Sequence, residues 1–202
     1  TAQSGNTGGL TWAEAGGGGG ASAIDDLSDA VTHGSGSSIG FGTNALANDD
    51  GSDRENVALG SEALNDVTSG YRNIGIGHGA GEKLTTGNNN TLAGWNALGT
   101  ATTGSGNFAL GTSSGYYITT GSDNVLIGNG AGVLQTTGSG HVYIGKQAGF
   151  GAQTSSNNVG IGFEAAQGIT GNTAKITAVG GTALRSATSA AGSTAFGYNA
   201  GL

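Results

Sequence analysis

Cysteine, proline and methionine are all absent from this 202-residue chain, and only 9% of its residues are charged. Without cysteine there is neither a disulfide framework nor a thiolate metal site, and composition leaves the redox compartment open. Without proline, collagen and polyproline rods are excluded. No apolar run approaches the ~18 residues that a membrane-spanning helix needs, and no membrane span is expected. Basic residues number six against thirteen acids, so the clustered Lys and Arg of a nucleic-acid surface are missing. Thr1 follows no recognisable signal peptide, so the chain reads as excised from something longer.

What is abundant is glycine, at 44 residues. Such a content usually marks disorder, but here the glycines are periodic, which low-complexity sequence is not. A phrase restarts at Ser38, Asn56, Asn73, Asn90, Asn107, Asn124, His141, Asn158, Ile176 and Ser193, at steps of 17 or 18. Four residues after every start stands a glycine: Gly42, Gly60, Gly77, Gly94, Gly111, Gly128, Gly145, Gly162, Gly180 and Gly197. An unbroken column of this kind implies one backbone shape repeated, with positive φ or close backbone approach at that point.

Before that glycine lies an apolar column (Leu59, Ile76, Leu110, Ile127, Ile144), and two residues earlier a β-branched or aromatic one (Val57, Ile74, Phe108, Val125, Val142). Residues two apart on a strand share a face, so both columns are expected to point into a narrow core. The small column between them (Ala58, Gly75, Ala109) should face outward, where another chain could approach. Seventeen extended residues span about 56 Å, room for two short strands and no helix. A second strand is expected at Val67, Leu84, Ile118 and Ile169. The fold class is therefore all-β, a parallel β-solenoid of about ten 17-residue coils stacked about 4.8 Å apart. Residues 38–202 form this repeat domain and residues 1–37 a Gly-rich N-terminal arm.

NVALGSEAL (Asn56–Leu64), NIGIGHGAG (Asn73–Gly81), NVLIGNGAG (Asn124–Gly132) and NVGIGFEAA (Asn158–Ala166) resemble the head repeats of trimeric autotransporter adhesins. That resemblance covers about 165 residues, though these repeats are longer and richer in Gly and Thr. It implies a left-handed parallel β-roll, three chains to a head, binding host surfaces. GGGGGASAIDDLSDAVT (Gly16–Thr32) is similar, more loosely, to connectors of phage tail-fibre proteins. Both resemblances imply a trimeric fibre outside a cell or on a virion. In the arm, Ile24, Leu27 and Val31 could line one short helix capped by Ser22, or the segment could be a solvated connector.

Chemistry finds little footing. Of His33, His78 and His141, the last two occupy different repeat positions, and the many Ser and Thr lack a base, so no enzyme, cofactor or metal centre is expected. Gly140–Lys146 imitates a phosphate loop, but Gln147 stands where Ser or Thr belongs, and its glycines belong to the repeat. DDGSDRE (Asp49–Glu55) crowds acids around a glycine, as calcium loops do; a solvated acidic loop is the favoured reading. Paired threonines (Thr85-Thr86, Thr102-Thr103, Thr119-Thr120, Thr136-Thr137) suggest the ranks of an ice-binding face, yet adjacent residues point opposite ways and each pair runs into a glycine. Strand end and turn is the better reading.

The aromatics His78, Trp95, Phe163 and Tyr198 just after the column glycine, with Tyr116 and Tyr117 nearby, are candidates for surface binding of a host glycan or protein, or for packing between chains. Leu10 and Trp12 are candidates for covering a neighbour's last coil. The functional expectation is a structural and adhesive fibre with itself as principal partner. The alternatives are a discrete ice- or glycan-binding module and a self-polymerising extracellular filament.

Overall fold

The structure is a computed structural model that describes residues 30–32 (backbone only), 37–151, 154, 156–168, 175–186 and 191–201. It forms a β-solenoid built on one sheet. The strands are β1 (Ala30–Thr32), β2 (Ile39–Phe41), β3 (Val57–Leu59), β4 (Ile74–Ile76), β5 (Thr91–Ala93), β6 (Phe108–Leu110), β7 (Val125–Ile127), β8 (Val142–Ile144), β9 (Val159–Ile161), β10 (Thr177–Val179) and β11 (Thr194–Phe196). They lie in sequence order. From β2 onward every pair is parallel and joins identical phrase positions, as in Phe108↔Val125 and Ala109↔Leu126. The 17-residue step is thus one full coil.

Among the described residues each coil contributes only one strand. The segment around Val67, Leu84 and Ile118, expected as a second strand, is turn and bend, although all three side chains are fully buried. Its backbone still bonds coil to coil, with Thr85 N–H to the Thr102 carbonyl at 2.9 Å and Thr102 N–H to Thr119 at 2.8 Å. What prevents a second ladder is the glycine-containing turn that begins three residues after each buried apolar residue (Gly87 after Leu84, Gly104 after Ala101, Gly121 after Ile118). Ile169 lies outside the described residues.

The strand faces are the reverse of the sequence expectation. In every parallel strand the middle residue is buried and the two flanking residues are half-buried or exposed. Ala58, Leu92, Ala109, Leu126 and Tyr143 are all 0% exposed. Ile74 and Ile76 are 38% and 44% exposed. The cause is space. The opposite wall already supplies large side chains, among them Leu64, Leu98, Val67, Leu84 and Ile118, and leaves room for one residue per strand. Ala109, expected to face a partner, is part of that core.

Two polar and backbone devices run the length of the stack. The column glycines have φ between 117° and 138°, a region in which any side chain is strained. A Cβ on Gly60 or Gly111 would also come within 2.7 Å of the next column glycine's carbonyl. This column forms one corner, as expected. Immediately before β3 to β7 stands a buried asparagine ladder, Asn56, Asn73, Asn90, Asn107 and Asn124. Asn107 donates Nδ2 to Asn90 Oδ1 (3.0 Å) and to the Gly121 carbonyl (3.0 Å). Its own Oδ1 accepts from the backbone N–H (3.1 Å) and Nδ2 (2.9 Å) of Asn124. Every hydrogen-bonding capacity of the amide is used, the condition under which a buried polar row stabilises rather than weakens a core.

At the N-terminal end, β1 pairs antiparallel with β2, Val31 opposite Gly40. Residues 30–32 are thus the strand that covers the first coil's edge, and Val31 is not helical. Ile24 and Leu27, like Leu10 and Trp12, lie outside the described residues. No helix among those residues is long and apolar enough to cross a membrane.

Candidate functional site

After the corner glycine the chain makes a tight turn, closed by a bond from the third residue on, such as Ala97 N–H to the Gly94 carbonyl. The residue next to the glycine therefore projects from the corner, and successive coils stack these residues into a row. His78 and Trp95 are neighbours in that row, their rings 6.5 Å apart and inclined by 26°. Trp95 is 53% exposed. His78 Nε2 also lies 3.6 Å from Glu62 Oε2.

Tyr116 and Tyr117, from the coil after Trp95, stand edge to face at 4.7 Å and 83°. They meet Trp95 across a cavity of about 320 Å³ that is also lined by Asn96, Ser113 and Val133. Sequence reasoning had Trp95 and the two tyrosines as separate candidates; two consecutive coils bring them together, and Val133 of a third completes the lining. Asn96, Ser113 and Val133 were not foreseen. The signal was their phrase position: Val133 occupies the place of Tyr116 one coil on, and Asn96 and Ser113 share one place in consecutive coils. Gly99 holds the place of Tyr116 one coil back, and a Cβ there would meet the Tyr116 ring at 2.9 Å.

Phe163 (50% exposed) and Tyr198 (78% exposed) continue the corner row four and six coils beyond Trp95. They do not line this cavity.

Three carboxylates of the acidic loop are paired, one within the loop and two with residues outside it. Asp50 meets Arg54 at 2.6 Å, Asp53 accepts from the Ser37 hydroxyl, and Glu55 meets Arg72 at 2.5 Å. The bond from Arg54, then those from Ser52, holds the Asp50 carboxyl well below the usual carboxylate range. Ser37 lowers Asp53 in the same way. Among the described residues no group of three or more His, Cys, Asp or Glu side chains is placed to hold a metal ion.

One threonine of each of three pairs is spent inside the stack: its hydroxyl donates to the carbonyl of its counterpart one coil on, Thr85 to Thr102 at 3.0 Å, Thr102 to Thr119 at 3.2 Å and Thr119 to Thr136 at 3.1 Å. The second threonines, Thr86, Thr103, Thr120 and Thr137, are exposed, as expected of adjacent residues that point opposite ways. The phosphate-loop imitation dissolves into the repeat, since Val142–Ile144 is β8 and Gly145 a corner glycine. Comparison with protein-family models, curated proteins and solved structures finds no match.

Proposed function

We propose that this chain is a structural and adhesive fibre subunit, a β-solenoid shaft or head that works outside a cell or on a virion and assembles with copies of itself. The observation that carries the reading is the outer face of the sheet. Its two ranks, Ile39 to Thr194 and Phe41 to Phe196, contain no charged residue, and only Thr91, Thr177 and Thr194 interrupt them with a hydroxyl. Ten strands at about 4.8 Å make this an apolar band roughly 43 Å long, on the order of 400 Å². Apolar patches of that size on soluble proteins are often functional, and this one is continuous along the whole stack.

A second copy is the occupant that fits. The side chains recur at the spacing of the coils, so another solenoid of the same period meets every rank in register, whereas an unrelated surface meets a few. Three copies around the band is the number that the resemblance to adhesin heads implies. Such a fibre performs no reaction. Its work is to hold a rigid length and present its corners.

Sedimentation velocity and light scattering test the reading. The purified chain should run as a multimer, and Ile127→Lys, placing a charge in the band, should release monomers that keep their β-type circular dichroism. A wild-type chain that stays monomeric at every concentration would overturn it.

A further inference from the structure

We propose that the cavity between Trp95, Tyr116 and Tyr117 binds the ring of a neutral saccharide. None of its lining residues belongs to the sheet face, so this inference does not rest on self-assembly through that face.

Three observations carry it. First, the aromatic surfaces are presented to solvent and held there. Tyr116 packs on the bare backbone of Gly99, where any Cβ would displace it, and Thr100 Oγ1 donates to its carbonyl at 2.6 Å. The two tyrosines brace each other edge to face, and His78 backs Trp95. Aromatics immobilised before binding lose little entropy when a ligand arrives.

Second, the cavity is uncharged but polar at two points. Neither the Asn96 side chain, whose Oδ1 lies over Gly79 of the preceding coil, nor the Ser113 hydroxyl takes a hydrogen-bond partner from the described residues. An amide and a hydroxyl each donate and accept, which suits a ligand whose groups also do both. That is the chemistry of sugar hydroxyls. An anionic ligand would need a cation, and none lines the cavity.

Third, at about 320 Å³ the cavity sits at the small end of ligand pockets. It can take one ring and leave the rest of a chain outside, along the fibre.

The test uses the full chain carrying Trp12→Phe, so that Trp95 is the remaining indole reporter. Neutral trisaccharides built from glucose, galactose, mannose or N-acetylglucosamine are titrated while its emission is followed. At least one should give a saturable shift. Trp95→Ala and Tyr117→Ala, followed by calorimetry with that sugar, should weaken binding about tenfold or more with unchanged melting. Gly99→Ala, acting only through the position of Tyr116, should weaken binding less. No shift with any sugar, or calorimetric binding that survives Trp95→Ala, would overturn the proposal. So would a response confined to sialylated or sulfated sugars titrated in parallel. Trp95 shielded from acrylamide in the assembled protein would also overturn it, because the cavity would then be an interface between copies.

Discussion

Leu92 and Gly81 share one volume. A Cβ on Gly81 would lie 2.7 Å from Leu92 Cδ1 and 2.8 Å from Leu64 Cδ2. The same exchange recurs along the stack: Gly115 makes way for Leu126 and Leu98, and Gly149 for the ring of Tyr143. Where the strand residue grows, a turn residue in an adjoining position shrinks, because each coil has one fixed core section. Tyr143 is the extreme case, fully buried, and that burial pushes the pKa of its phenol far up.

This sharing predicts coupling. Gly81→Ala should destabilise by about 2 kcal/mol through overpacking together with the strain of a side chain at φ 64°, and Leu92→Ala by about 3 kcal/mol through a cavity. The double variant should cost at least about 1 kcal/mol less than their sum. Urea denaturation of the four proteins measures it. Strict additivity would mean that the two residues do not share space.

Asn107→Ala should be among the costliest polar substitutions. It removes both Nδ2 bonds and the acceptor of the Asn124 backbone N–H, leaving the Gly121 carbonyl and that N–H buried without those partners. At about 1–3 kcal/mol per stranded group, a loss of about 3 kcal/mol is expected in the same denaturation assay. Asn107→Ser, which keeps an oxygen, should recover a minor part.

The corner glycines separate backbone strain from collision. Gly111 and Gly197 have φ of 130° and 117°. A Cβ at Gly111 would meet the Gly128 carbonyl at 2.7 Å, whereas at Gly197 it would meet nothing within 4 Å. Gly197→Ala should therefore cost strain alone, about 1–2 kcal/mol, and Gly111→Ala appreciably more. Equal thermal shifts in the two variants would show that φ, not coil-to-coil contact, selects glycine here.

The period, the single parallel register and the glycine corner were legible in the sequence, because stacking places every repeated residue directly above its counterpart. Which strand face is inside was not. Alternation with period two says only that Val57 and Leu59 oppose Ala58, and hydrophobicity alone assigns the larger pair to the core. The structure decides otherwise because Leu64, Leu84, Leu98 and Ile118 fill the section from the far wall, a constraint set by coil width. The asparagine ladder and the compensating glycines were visible as columns, yet their roles depend on contacts between coils. The aromatic cavity likewise arises only when Trp95, Tyr116 and Val133, each about a coil apart, are brought to one corner by the stack.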